Sequence, residues 1–350
     1  MQPKGEIMRC LVTGNHGYIG YIMVHDLLKS GHEVVGYDCN YFPEEVFGRG
    51  DTFESSKGIR QITKDIRDIS DADFKGIDAV IHLAGLVDDP DGRIWPDIQM
   101  DINYLSTLEL AIKARRNGVK RFIFASSTSV YGIKGDELLD EESSAEPVTW
   151  YAKSKLYSEY ALSKMISEDF AVTCMRNATC FGISPRMRVN MVLNCLAGFA
   201  YTEGKVNVVG DGMNWRPVVH IEDVARAYID VLAADPSKVS GQVFGVGCGS
   251  YRINELAEAV KEALPNSVIV HGDRGNDNRS YRVSFEKMEK VLGFKTKYSI
   301  RDGIKELIKG YEEFGLTKEK FQEDRFWSTK YYKSLTDSGK VDRNLRIKTG

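Results

Sequence analysis

Tyr151 and Lys155 stand four residues apart in the stretch "PVTWYAKSKLYSEYA". In a helix that spacing puts two side chains on one face, so a phenol and an amine can converge on one point. A tyrosine with its free pKa of ~10 is a poor base at neutral pH. A neighbouring ammonium favours the phenolate and brings that value down. Upstream, "FASSTSVYG" supplies Ser126, Ser127, Thr128 and Ser129. One of these hydroxyls can hold a substrate hydroxyl while the phenolate takes its proton. Taken separately, the first pair is a solvated lysine beside a packing tyrosine, and the second run is a hydroxyl-rich turn. Taken together they are the parts needed to oxidise an alcohol, provided that something accepts the hydride.

A place for that acceptor lies near the start of the chain. "TGNHGYIG" sets Gly14, Gly17 and Gly20 after the apolar run "MRCLVT" and at the opening of a helical pattern. Glycines there let the backbone turn tightly and approach a pyrophosphate, which then rests on the positive end of a helix. Asp38 follows at the end of the next apolar run, "VVGYDCN". A carboxylate at that point accepts the adenosine ribose hydroxyls and repels a 2′-phosphate, so the expected cofactor is NAD rather than NADP. By itself Asp38 could cap a turn; with the glycine loop it reads as a cofactor ligand. His16 is read as a loop residue near the phosphates, not as a catalyst.

These residues need a scaffold, and the hydrophobic pattern supplies one. The runs 8–13, 33–37, 78–83, 120–125 and 170–176 are apolar, β-branched and too short for helices. Between them "GYIMVHDLLKSG", "NYLSTLELAIKARRNG" and "YAKSKLYSEYALSKMISE" carry apolar residues at helical spacing. This alternation predicts an α/β fold, a Rossmann-type doubly wound parallel sheet with helices on both faces. Ser126–Ser129 then lie at a strand's C-terminal end, where such sheets bind ligands. Beyond 177 the rhythm loosens. The expected division is an NAD-binding domain over 1–176, with a returning segment near 216–247, and a smaller α/β substrate lobe from 177–215 and 248–316. Residues 317–350 are read as a polar tail, solvated or strapping, with no chemistry assigned.

Composition sets bounds on the function. The 350 residues are 42% hydrophobic and 28% charged, with a formal net charge of -3, as in an ordinary globular protein. That balance argues against a nucleic-acid partner. The six cysteines are scattered without CxxC pairs, which argues against a metal site or a disulfide framework. Without a signal-like or membrane-spanning apolar run, a cytoplasmic protein that does not engage membranes is expected.

The glycine loop, the Ser/Thr cluster before "VYG" and the YxxxK spacing together resemble the extended short-chain dehydrogenase/reductase family, over roughly residues 8 to 312. The resemblance implies roles for individual residues. Ser127 is the catalytic hydroxyl, Tyr151 the acid/base, and Lys155 the amine that lowers its pKa and holds the nicotinamide ribose. Gly14, Gly17, Tyr18, Ile19 and Gly20 form the phosphate loop. Asp38 binds the ribose, Asp65 and Ile66 the adenine, and Leu83, Ala84 and Gly85 line the groove. Asn103 resembles the asparagine that steadies the active-site lysine. The second lobe resembles the nucleotide-sugar branch (UDP-glucose 4-epimerase-like). There Asn177, Arg186, Arg188, Arg216, Asp277 and Arg279 are the implied contacts to a nucleotide-diphosphate sugar. Guanidinium forks suit a diphosphate.

Departures from the branch narrow the reaction. Its dehydratases place an Asp-Glu pair where Thr128 and Ser129 stand, its decarboxylases keep a glutamate at Ser129, and its 3,5-epimerases use a cysteine there. What remains is reversible hydride transfer at one carbon, and the resemblance implies C4, most simply in a 4-epimerase. The alternative is a C4 dehydrogenase or reductase, since "NATCFGISPRMR" is also similar to GDP-heptose 4-dehydrogenases; further off lies a non-catalytic NAD-sensing regulator. The family implies a homodimer packed through "INYLSTLELAIKARR" and the Tyr151 helix.

Overall fold

The computed structural model describes residues 6–42, 47, 59–87, 89–273 and 279–348 of the chain. The first strands are β1 (Arg9–Thr13), β2 (Glu33–Asp38), β3 (Arg60–Thr63), β4 (Ala79–His82) and β5 (Arg121–Ser127). With Ala171–Asn177 and Val243–Val246 they form one parallel seven-stranded sheet, in the order Val243–Val246, Ala171–Asn177, β5, β4, β1, β2, β3. Cys10, Leu11 and Val12 are fully buried. A central strand covered on both faces reads as a continuous apolar run, which is why β1 was legible. β3, "RQIT", sits at the edge with one buried residue, and no apolar run betrays it.

Helix α1 (Tyr18–Lys29) starts at Gly17, so its N-terminus points at the glycine loop. It packs against the helix Ile221–Ala233. The helix expected after β4 is Ser106–Arg116, entered through a π-helical turn at Asp101–Leu105 that contains Asn103. There the Asn103 carbonyl accepts hydroxyl hydrogens from Thr107 and, across to the next helix, Ser158. Widened turns of this kind recur at functional sites.

The second lobe is built from three small sheets. Trp215–His220 pairs with Thr179–Phe181 and Gly249–Arg252, Lys205–Val209 with Val268–Gly272, and Ile133–Leu139 with Ser280–Val283. The helices Val192–Glu203, Ile253–Ala263 and Ile300–Phe314 pack on them, and one apolar core joins this lobe to α1. The returning chain therefore re-enters the large sheet at Val243–Val246, whereas Trp215–His220 stays in the lobe.

The segment after Thr317 is a strap. Phe321, Phe326, Tyr332, Leu335, Val341 and Leu345 are buried along it. Each fully buried side chain of this size is worth roughly 1.5–3 kcal/mol. Its polar composition hid these six because they are spaced too widely to form a run. Among the described residues, no helix is long and apolar enough to cross a membrane.

Candidate active site

The C-terminal ends of the central strands open into a cavity of about 1250 Å3. One drug-sized ligand usually occupies about 300–1,000 Å3, so the space suits two ligands side by side. Its lining includes Gly14, Gly17, Asp38, Asp65, Ile66, Leu83, Ala84 and Gly85 at one end. Ser127, Tyr151, Lys155 and Asn177 lie along it, with Arg188, Arg216 and Arg279 further into the second lobe.

The glycine loop leaves no room for side chains. Gly14 has φ +72°, and a Cβ there would meet the Ala84 nitrogen at 2.7 Å; one on Gly20 would meet the Gly14 carbonyl at 2.1 Å. The loop therefore hugs the sheet and leaves the α1 N-terminus facing the cavity, a cradle that fits a dinucleotide's pyrophosphate. Asp38 fits the ribose. Its carboxylate accepts from the backbone N–H of His16 at 3.1 Å and of Asn40 at 2.8 Å, which fixes it at the groove wall. Burial raises its pKa, opposed by those amides and by His16 and Arg186 nearby.

Some expected ligands are engaged otherwise. The Tyr18 ring is buried and its hydroxyl donates to the Gly182 carbonyl at 2.7 Å, pinning the second lobe to α1. The Asp65 carboxylate is ion-paired with Arg67 at 2.5 Å, so it borders the adenine end without an idle oxygen pair. Asn103 does not bond the lysine. Its amide accepts from the Leu86 N–H at 2.8 Å and donates to the Leu86 carbonyl at 2.8 Å and the Ser154 hydroxyl at 3.3 Å. Arg186 is buried, with its guanidinium 3.4 Å over the Phe42 ring and a hydrogen bond to the Arg325 carbonyl at 3.0 Å. That places it near Asp38 at the adenosine end. Stacking on Phe42 is the physical reason. Arg216 donates to the carbonyls of Trp215 and Arg279, so these two arginines do adjoin. Asp277 lies outside the described residues.

The helix Trp150–Ser163 carries the phenol and the amine in its first two turns, capped by the Thr149 hydroxyl accepting from the Ala152 N–H at 3.1 Å. Lys155 is 2% exposed, with Nζ 5.8 Å from the Tyr151 ring centre and 4.8 Å from that of Phe124. Burial brings its pKa down to about 8, and Glu159 one turn on pulls the other way. Ser127 caps the short turn Thr128–Tyr131, accepting from the Ser129 N–H at 3.2 Å. Ser129 Oγ and Asn177 Oδ1 are buried at the cavity and have no hydrogen-bond partner among the described residues.

A match over residues 10–247 to the family described as NAD dependent epimerase/dehydratase places this cavity in context. The chain belongs to that family. It is 30% identical over 314 residues to the UDP-glucose 4-epimerase of Mycolicibacterium smegmatis, covering 86% of this chain and 97% of that protein. Among solved structures it is similar to MoeE5 in complex with UDP-glucose and NAD, with TM-score 0.75, 27% identity, and 87% and 99% of the two chains covered. It is also similar to the UDP-glucose 4-epimerase of Thermus thermophilus in complex with NAD, with TM-score 0.74, 25% identity, and 87% and 99% covered. The protein is an NAD-dependent enzyme of the epimerase/dehydratase family.

Two buried networks of this family member were not read from the sequence. In one, Arg176 reaches Glu159 at 2.8 Å and the Tyr131 hydroxyl at 3.0 Å, while Ser126 donates to Glu159. The spacing of Glu159, four residues after Lys155, was the available signal. In the other, Thr13 and Thr107 hold His82 at 2.7 and 2.8 Å. Thr107 spends its hydrogen on the Asn103 carbonyl, so His82 donates through Nε2 and accepts at Nδ1. This joins the glycine-loop strand to the π-helical turn.

Proposed function

We propose that the chain interconverts nucleotide-diphosphate sugars at C4, as a 4-epimerase. The observation that carries this is the buried Lys155 amine close to the Tyr151 ring, at the junction of the glycine-loop groove and the arginine-lined lobe. Bound NAD supplies what the chain lacks, a reversible acceptor for the C4 hydrogen and its electron pair. Ser127 holds the C4 hydroxyl, Tyr151 takes its proton and later returns it, and Lys155 keeps the phenol easily ionised and holds the nicotinamide ribose. Gly14, Gly17, Tyr18, Ile19 and Gly20 hold the pyrophosphate through their backbone. Asp38 takes the adenosine ribose, and Ile66 and the backbone near Asp65 border the adenine. Leu83, Ala84 and Gly85 form the floor, and Asn103 fixes its shape through Leu86.

Arg188, Arg216 and Arg279 serve the substrate's diphosphate side. For Asn177 to donate to a phosphate its amide must be reversed, with the Tyr228 hydroxyl donating to Oδ1 instead of accepting from Nδ2 at 2.8 Å. Thr128 and Ser129 offer no carboxyl group for eliminating water, which favours epimerisation over dehydration. In this division of labour 1–176 apart from Ile133–Leu139, with a return through Ile221–Ala233 and Val243–Val246, binds NAD, and Ile133–Leu139 with 177–220 and 248–316 binds the sugar nucleotide. A homodimer completes the proposal, since Leu105, Ile112, Tyr157 and Tyr160 are exposed on the two helices a partner would cover. The similar UDP-glucose 4-epimerases make UDP-sugars the first substrates to try.

The test is turnover of UDP-glucose and UDP-galactose, with GDP-, dTDP- and CDP-sugars as the next set, in deuterated water. The expected product is the C4 epimer, unlabelled at C4, with no net NADH. Tyr151→Phe should lose roughly 10²–10⁴-fold in kcat. Stoichiometric NADH with a 4-keto sugar would replace the epimerase by a C4 dehydrogenase, and full activity in Tyr151→Phe would remove the triad.

A further inference from the structure

The strap crosses the mouth of the groove from one side of the glycine loop to the other. In the sheet, β1 and its loop lie between β4 on one side and β2 with β3 on the other. The strap touches the loops of both sides. Thr329 donates to Asp91 at 2.7 Å, and Asp91 belongs to the short helix Asp89–Ile94 that follows β4. Tyr331 stacks on Phe42 at 4.6 Å, and Tyr332 meets Tyr41 edge-on at 5.7 Å, both partners leaving β2. Beyond the helix Ser328–Asp337, Tyr41 donates to the Leu345 carbonyl and Arg67 to the Asn344 carbonyl at 2.9 Å. Arg346 pairs with Asp68 at 2.8 Å, next to β3's end. Between these moorings Ser328, Thr329 and Tyr332 line the same cavity as Asp38 and Asp65.

We propose that this strap is a wall of the NAD site: it closes over the adenosine half of the dinucleotide and must unhook before the cofactor enters or leaves. A ligand lying along the glycine loop to Asp38 passes beneath a segment tied down on both sides of it. Arg67 makes the closure sensitive to occupancy. Its guanidinium bridges Asp65, at the adenine border, to the strap's Asn344 carbonyl, so the adenine edge and the strap share one cation. The strap's aromatic residues add apolar cover where Tyr41 and Phe42 would otherwise face water. The proposal rests on NAD occupying this groove and is independent of the sugar chemistry, so it stands or falls apart from the epimerase.

The experiment is NAD release from the full-length holoenzyme, followed after a chase with excess NADH, in the unaltered chain and in Thr329→Val/Tyr331→Ala. Removing one hydrogen bond and one stacked pair should speed release on the order of tenfold and lower the NAD content of purified protein. An unchanged release rate in a variant that melts as the parent does would overturn the proposal. Hydrogen exchange on the unaltered chain gives a reading that needs no variant. Saturating NAD should slow exchange over residues 328–345, and equal exchange with and without NAD would also overturn it.

Discussion

At the residue scale, the charge on Lys155 decides whether Tyr151 can act. The ammonium favours the phenolate, and burial has already brought the lysine down to about 8. Below that pH the ammonium persists; above it the charge is lost and the phenol's pKa climbs back. Activity (kcat/KM) should therefore fall as pH rises through about 8. Glu159 opposes the shift, so Glu159→Gln should move this alkaline limb to lower pH, which a pH series on both proteins would read. An unmoved limb would assign it to another group. Asp38 carries the second residue-level expectation. Asp38→Asn should weaken NAD by roughly 10–100-fold, the worth of hydrogen bonds to a charged group, while NADP binding changes little. Titration with both cofactors measures it, and equal affinities in the parent would refute the role.

At the scale of elements, Ser106–Arg116 and Trp150–Ser163 present Ile112, Tyr157 and Tyr160 to solvent, with Leu105 at the preceding turn. A two-fold contact through that face is expected, since isologous dimers are the commonest assembly. Leu105→Glu/Ile112→Glu should convert a dimer into a monomer by light scattering at micromolar concentration; a monomeric parent would defeat the idea. The same elements show what a sequence can reveal. β1, β2, β4 and β5 announce themselves because buried parallel strands are continuously apolar, and the phenol–amine pair because four residues make one helical turn. β3 and the strap stayed hidden, the one an edge strand with a single buried residue and the other with its buried side chains too widely spaced to form a run. At the site, residue types pointed to Tyr151, Lys155, Asp38 and the hydroxyl cluster Ser126–Ser129, from which the family resemblance picked Ser127. They could not show that Arg186 stacks on Phe42, or that Asn103 serves Leu86, because both outcomes depend on contacts between distant segments.

For the molecule as a whole, the buried His82 sets an acid limit. Burial first, and the nearby Lys155 second, push its pKa down to about 3. An unfolded chain with an ordinary histidine pKa of about 6.5 takes up a proton that the folded chain refuses. The unfolded state thus binds more protons between about pH 6.5 and about 3, and stability falls as pH drops through that window. The slope contributed by this group approaches about 1.4 kcal/mol per pH unit, the worth of one pKa unit. His82→Gln should flatten that part of the stability profile in denaturant titrations between about pH 4 and 7. An identical slope in both proteins would show that His82 is not the group responsible.

The strap's moorings also order events during synthesis. Tyr41 is polymerised 304 residues before Leu345, whose carbonyl its hydroxyl meets. At roughly 5–20 residues per second, the glycine loop and β2 wait about a quarter of a minute to a minute for their cover. In that interval the nascent sheet offers an open groove to any NAD in reach. A ribosome supplied with the dinucleotide should release chains already loaded, whereas one starved of it should release chains that close empty and fill slowly afterwards.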